Sequence, residues 1–350
     1  MASNAAMLSG VNSAGLFQGG MLRDAPVQSS QSCSFVNGCP LLRTPTSVQR
    51  KGRAGTAFRA QGNESGVSVA ENARSAAKKA KRFTPRGDKV LALAAASVPL
   101  LMRLGSGALV AGYSTSLEKD DSDPQSTYSL FRVAGRRFVE KGAAHTLPAK
   151  PIEIYEFEGC PFCRKVREAV TFLDLDVLFF PTPQDGPTYR PKAIELGGKK
   201  QFPYMIDPNT GYSMYESDEI ISYLSRTYGD GKMAFQLKLG PLTSLTAGLA
   251  MLPRLGKGSS YRPAKKPAKP LELWAYEASP FCKIVREVLV ELELPHVYHS
   301  CARGSAKRQE LFDRTGIFQA PYLEDPNTGA AMFESGDIID YLEKEYALVT

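Results

Sequence analysis

Apolar and polar residues alternate from Ile152 to Tyr155 and again from Leu271 to Trp274, the period of a half-buried strand. Behind each, after a short turn with a proline, apolar positions return at three-and-four spacing. They are Val166, Ala169, Val170 and Leu173 in one place and Val285, Val288, Leu289 and Leu292 in the other, which predicts a helix packed on one face. A second strand is expected at "DVLFF" from Asp176 and at "HVYHS" from His296. "PYMIDPNTGYSMYES" and "PYLEDPNTGAAMFES" each predict a hairpin, because Asp-Pro-Asn-Thr-Gly between short apolar runs is turn chemistry. Closing helices are expected over 218–228 and 336–346. Upstream, Val90 to Met102 is an uncharged run of 13 residues broken by Pro99. A membrane span needs about 20 apolar residues, so this run predicts a helix packed on its own module. A surface-lying or partner-binding helix, with peripheral membrane contact through 90–104, is the alternative.

These elements occur in the same order twice. "AKPIEIYEFEGCPFCRKVREAV" at Ala149 aligns with "AKPLELWAYEASPFCKIVREVL" at Ala268, an offset of 119, and "QFPYMIDPNTG" at Gln201 aligns with "QAPYLEDPNTG" at Gln319, an offset of 118. The order β-α-β-(α)-β-β-α, with a strand feeding a Cys-containing turn and a helix, is a thioredoxin-like α/β layout. The expected organisation is a leader over 1–60, a helical and linker region over 61–148 and module one over 149–231. A second apolar helix with a Pro/Lys linker follows over 232–267, then module two over 268–350. "VPLLMRLGSG" and "LAMLPRLGKG" ahead of the modules share Arg-Leu-Gly-x-Gly. "KGSSYRPAKKPAKP" reads as a solvated spacer, and 116–142 as an insertion without a clear pattern.

Charge changes this picture at one end only. The formal net charge is +7, but residues 1–60 hold six basic side chains and one acid, Asp24, so the rest is close to neutral and no nucleic-acid partner is expected. The N-terminal stretch is rich in Ser, Ala and Gly, the composition of a transit peptide, and its close "QRKGRAGTAFRAQ" suits a chloroplast. The stroma, or the periphery of the thylakoid or envelope, is the expected location. Cys33 and Cys39 would leave with it. The remaining Cys160, Cys163, Cys282 and Cys301, with His145, His296 and His299, fit neither a secreted disulfide framework nor a zinc spacing, so no metal is expected.

Chemistry is expected at "CPFC". A first cysteine at a helix N-terminus has its thiolate favoured by free N–H groups and the helix dipole. Arg164, Lys165 and Arg167 are expected to add to that electropositive setting. Cys160 would then be the nucleophile and Cys163 the resolving thiol of thiol–disulfide exchange. A buried structural pair, or half of a metal site, is the alternative. In module two Ser279 stands where Cys160 stands in module one, so that copy cannot form a mixed disulfide. Cys282 and Cys301 read as a pair of buried thiols.

The phrase "CPFC" after a strand, followed by "KVRE" and by Pro-Tyr before a hairpin, resembles glutaredoxins and the N-terminal domain of glutathione S-transferases. The tandem is similar to a plant plastid family of thioredoxin-fold proteins with two such domains, and "CPFC" also resembles the catalytic segment of the type 2 prostaglandin E synthases. The resemblance implies two domains, each a four-stranded mixed sheet flanked by helices. The chain departs from the transferase pattern in that no run of about a hundred helical residues is expected after either module, so the all-α domain of the transferases is not expected. The resemblance implies glutathione as co-substrate, held by a cis proline element at Phe202-Pro203 and Ala320-Pro321. It also implies a γ-glutamyl clamp at Glu216-Ser217 and Glu334-Ser335, with Ser279 beside the glutathione sulfur in copy two. Plain helix N-caps at Ser217 and Ser335 are the alternative.

The expected function is a glutathione-linked thiol–disulfide oxidoreductase acting on disulfide or glutathionylated proteins, its second domain degenerate. A non-catalytic glutathione-binding or scaffold protein is the runner-up. A glutathione transferase, an isomerase like the prostaglandin enzyme, or a glutathione-ligated iron–sulfur cluster at Cys160 are further alternatives.

Overall fold

The computed structural model describes residues 66–81, 84–143 and 146–348, so the expected transit peptide, with Cys33 and Cys39, and His145 lie outside the described residues. The chain enters on α1 (Gly66–Lys79) and α2 (Val90–Met102), then β1 (Ser114–Lys119), β2 (Arg132–Val133) and β3 (Arg136–Lys141). Module one follows as β4 (Ile152–Glu156), α3 (Pro161–Phe172), β5 (Asp176–Pro181), α4 (Tyr189–Gly197), β6 (Tyr204–Asp207), β7 (Tyr212–Met214) and α5 (Ser217–Tyr228). After α6 (Pro241–Leu249), module two repeats it as β8 (Leu271–Ala275), α7 (Pro280–Glu291), β9 (His296–Ser300), α8 (Lys307–Thr315), β10 (Tyr322–Asp325), β11 (Ala330–Phe333) and α9 (Ser335–Tyr346).

Local chemistry explains each piece. Ile152, Ile154 and Tyr155 are fully buried, so β4 reads as a central strand with parallel β5 on one side and antiparallel β6 on the other. Proline opens α3 and α7 at the first helical position, where no N–H partner is lost. In both hairpins the turn asparagine is tied back to the strand entry: Asn209 exchanges hydrogen bonds with the Lys150 main chain, and Asn327 with that of Lys269. The buried turn carboxylate Asp207 accepts from Tyr223 and Tyr228, and Asp325 from Tyr341 and Tyr346.

The modules do not sit side by side as beads. β5 and β9 pair antiparallel, with Val177 opposite Tyr298 and Phe179 opposite His296. The two four-stranded sheets therefore form one 8-stranded sheet in the order β11-β10-β8-β9-β5-β4-β6-β7. Their apolar sides share one core, in which Val166, Val170 and Phe179 of module one join Val285, Leu289 and Tyr298 of module two.

The apolar helices cross over. α2, which precedes module one, packs on α7 of module two, and α6, which precedes module two, packs on α3 of module one. The expectation that the helix at 90–102 lies on its own module is corrected: its partner is the other copy. The Arg-Leu-Gly-x-Gly segments lie between the modules, each arginine returning to its own module and each second glycine meeting the other. Arg103 at the end of α2 forks onto Glu168 of α3 at 3.0 and 2.6 Å, and Arg254 forks onto Glu287 of α7 at 2.8 and 2.6 Å. Gly107 then passes module two, accepting the Ala278 N–H at 3.1 Å, and Gly258 passes module one, accepting the Gly159 N–H at 3.4 Å. Both glycines have positive φ, and a Cβ would fall 2.7 Å from Glu277 Cβ and 2.6 Å from Glu158 Cβ, so the approach needs glycine.

Two further expectations change. The insertion folds into a three-stranded sheet, β1-β3-β2, whose following and connecting residues dock on module two, with Tyr128 edge-on to Phe318. The Pro/Lys linker is strapped down rather than free, since Arg262 pairs with Glu291 and Glu343 and the Lys265 N–H bonds to Tyr346 O.

Candidate active site

Cys160 occupies the N-cap of α3 in extended conformation, and its Sγ accepts the Cys163 N–H at 3.2 Å. The Phe202 carbonyl lies 3.9 Å from that sulfur, and the Phe202-Pro203 bond is cis, as is Ala320-Pro321 in module two. Both thiols are free; Cys160 is 5% exposed and Cys163 fully buried. The pair is electrically divided. A hydrogen bond from the Cys163 side chain, helped by the backbone N–H groups of the first turn, lowers the Cys160 thiol below its ordinary range against the opposing effect of burial. Burial, with the negative charge of Cys160 and Glu156 nearby, pushes the Cys163 thiol well up.

The expected help from Arg164, Lys165 and Arg167 is corrected. All three are buried and each is already neutralised. Arg164 bonds Glu168 at 3.1 Å and Lys165 bonds Asp218 at 2.6 Å. Arg167 meets Glu156, Glu158 at 3.2 Å and Glu277 at 3.0 Å, while Arg286 meets the same Glu158 at 3.2 Å and Glu277 at 2.8 Å. Arg167, Arg286, Glu158 and Glu277 thus form a buried square across the module boundary. Burial opposes the charge on Glu158 and Glu277, but the surrounding cations outweigh it and hold both carboxyls below the usual range. Glu156 has less cationic company, and burial pushes it up to about 7 despite its contact with Arg167. These cations fasten two helices and leave the thiol to the helix terminus.

A cation missed in the sequence lies over the two rings beside the site. Arg190 at the start of α4 is placed over the rings of Phe157 at 5.3 Å and Phe202 at 4.7 Å, and its Nε donates to Pro183 O at 2.8 Å. Burial lowers its guanidinium from the ordinary range, and the charges of Asp185 and both cysteines work the other way. The signal was available: Arg308 stands at the matching position of module two and lies over Tyr276 and Phe318.

The clamp residues come together in both modules. Glu216 and Glu334 sit at the N-cap positions of α5 and α9 with φ of +64° and +67°, and neither side chain caps the helix. Ser217 and Ser335 are the first helical residues, so the reading of these serines as plain N-caps is set aside. Gln201 Nε2 donates to Glu216 at 2.5 Å, and Gln319 Nε2 to Glu334 at 2.6 Å.

Beyond that the two sites diverge. Glu216 is exposed, whereas Glu334 is half-buried and takes a hydrogen bond from the Lys81 main chain. Arg86 spans Asp337 at 3.1 Å and Asp340 at 2.6 Å, and a Cβ on Gly336 would meet its Cδ at 2.6 Å. The chain ahead of α2 therefore covers the second clamp. The insertion covers the second arginine, with Tyr128 Oη accepting from Arg308 at 2.8 Å. Ser279 repeats the cap of Cys160, accepting the Cys282 N–H at 3.2 Å. Cys282 and Cys301 are free, buried and both raised by burial. Among the described residues no group of three or more His, Cys, Asp or Glu could hold a metal ion.

Residues 154–232 and 273–349 each match the family model of the glutathione S-transferase N-terminal domain. Two solved chains of a glutathione transferase from Bombyx mori, BmGSTD1, align with 24% of this chain at 28% and 29% identity and a TM-score of 0.22; one of them is a complex with GTT. The alignment spans 39% of those transferase chains. No curated protein matches the sequence. The two modules are thus thioredoxin-like domains of the transferase N-terminal type.

Proposed function

We propose that the first of these two transferase-type domains is a glutathione-linked thiol–disulfide oxidoreductase with Cys160 as nucleophile, and that the second is a degenerate copy serving it structurally. The observation that carries this reading is the polarised pair, a Cys160 thiol favoured as thiolate at a helix N-terminus beside a Cys163 thiol held protonated by burial. The main chain at Phe202-Pro203 is positioned for the cysteinyl part of glutathione, and Glu216 with Ser217 for its γ-glutamyl end. Arg190 supplies a cation for a carboxylate on the same side.

The Cys160 thiolate attacks the glutathionyl sulfur of R–S–SG, forming Cys160–S–SG and releasing R–S⁻, which takes a proton from water. Glutathione thiolate attacks that bound sulfur and regenerates Cys160, so R–S–SG and GSH give RSH and GSSG. With a protein disulfide, Cys163 attacks the Cys160 mixed disulfide and releases the substrate thiolate, and two glutathiones reduce the Cys160–Cys163 bond. In module two, Ser279 has no sulfur and its clamp faces Lys81 and Arg86, which supports a structural role. The chloroplast remains our reading of the compartment, from the N-terminal composition.

The test is a glutathione-coupled reduction assay. Cys160→Ser should abolish turnover on both substrate types, and Cys163→Ser should keep reduction of a glutathionylated peptide while losing most reduction of a protein disulfide. Undiminished activity of Cys160→Ser would sink the assignment.

A further inference from the structure

α2 and α6 cover the Cys-bearing helices as one layer, joined where α2 meets the helical turn at Leu252–Arg254 after α6 and by arginine side chains at their ends. Arg103 at the end of α2 donates to Thr243 O and Thr246 Oγ1 of α6, and Arg254 beyond α6 donates to Ala92 O near the start of α2. The inner side of this layer is buried through Leu93, Ala96 and Ala247. The outer side is apolar as well. Along α2 and its end, Leu91, Ala94 and Leu101 face out, with Val98 half-buried between them. Along α6 and the turn after it, Leu242, Leu245, Leu249 and Leu252 face out at the same spacing, 151 residues later. Leu91 is 85% exposed and Leu101 74%.

The ridge ends in a matching way in both copies. Leu104 and Leu255 have φ of +50° and +49°, a left-handed conformation that is unfavourable for leucine, and they are 74% and 92% exposed. The left-handed backbone ends each helix, with the Gly105 N–H bonding to Leu100 O at 2.9 Å and the Leu255 N–H to Leu252 O at 3.0 Å, while the leucine side chain it carries into solvent is no part of that cap.

We propose that this double leucine ridge docks the protein on the surface of an anionic lipid bilayer. The proposal stands on the α2–α6 layer and not on the redox reading. Neither 89–113 nor 233–258 contains an Asp or Glu. Lys238 and Lys257 are exposed at the margin and form no ion pair among the described residues, which suits anionic headgroups. The exposed side chains are nearly all aliphatic, with Phe235 the exception, whereas protein hot spots favour Trp, Tyr and Arg. Among the described residues no helix is long and apolar enough to cross a membrane, so the layer lies on the surface. Leu252 and Leu255 also line a cleft of about 290 Å³ that includes Gly159, so docking brings the Cys160 turn to the lipid boundary.

The experiment is flotation of the full chain with vesicles of phosphatidylglycerol and phosphatidylcholine, and with phosphatidylcholine alone. The wild type should float with the anionic vesicles. Leu101→Ser/Leu252→Ser/Leu255→Ser should lower partition roughly tenfold or more, because each leucine loses its burial in the lipid. Lys238→Glu/Lys257→Glu should lower binding to anionic vesicles only. The substituted leucines are exposed, and an unchanged unfolding midpoint verifies the fold. Independently, hydrogen exchange of the wild type should slow over 89–105 and 240–257 when anionic vesicles are added. Binding of the triple variant equal to wild type, which would assign the lipid contact to the basic stretch at 1–60, overturns the proposal. So does a wild type that stays unbound, or a soluble dimer that the triple variant dissociates.

Discussion

His299 sits where the two sheets meet, opposite Asp176, with its ring on Trp274 at 4.2 Å and its nitrogens on Glu272 at 2.5 Å and Asp176 at 3.3 Å. Burial works against its imidazolium, but the two carboxylates outweigh it and hold the pKa up to about 9. An unfolded histidine titrates near 6.5, so its stabilisation is complete below about pH 6.5 and fades as pH rises to about 9. His296, three residues away and buried, is pushed down to about 4, so its contribution is lost as pH falls from about 6.5 toward 4. The thermal midpoint should therefore decline between pH 6.5 and 9. In His299→Gln it should start lower and, once Glu156 has titrated near pH 7, decline much less up to pH 9, measured by calorimetry. Cys160 and Ser279 carry a different lesson at this scale. Their cap bonds to the third residue of the helix are equal in length, so serine in place of cysteine removes the thiol without disturbing the turn.

At the scale of elements, the order of each module was legible apart from its middle helix, because alternation, three-and-four spacing and Asp-Pro-Asn-Thr-Gly turns are local signals. The partner of each helix was not. The periodicity of α2 says that one face is buried but not against which copy, and the same gap misdirected Arg164 and Arg167, whose positions on α3 meet buried carboxylates of both modules instead of the thiol. Arg190 escaped for another reason: it belongs to a polar helix with weak periodicity and gains meaning only from the two rings around it. The crossing helices are held by buried forks, which gives a sharp expectation. Arg103→Met should leave Glu168 as a buried carboxylate held mainly by Arg164 and cost about 3–5 kcal/mol. Arg103→Met/Glu168→Leu should recover much of that loss, as read from denaturant midpoints.

For the whole molecule, the shared core and the joined sheet imply one cooperative unit. Trp274, the single tryptophan, reports on module two, while alkylation of Cys160 and Cys163 reports on module one. Their unfolding transitions in urea should coincide; two separated midpoints would show modules that melt alone. The repeat in the sequence told of duplication, yet duplication by itself is equally compatible with two independent domains. What decides between them is the pairing of β5 with β9, a contact between short apolar strands far apart in the chain, for which the sequence carries no local mark.

That pairing also settles what becomes of exposed strand edges. A lone module would present β5 or β9 as a free row of N–H and C=O groups beside apolar side chains such as Val177 and Phe179, a template for aggregation. In the tandem each copy closes the other's vulnerable edge. The ends of the joined sheet are then the short strands β7 and β11, and α1 lies against β11. The second copy thus shields the first from self-association, a service that needs a strand in the right register and no thiol at all.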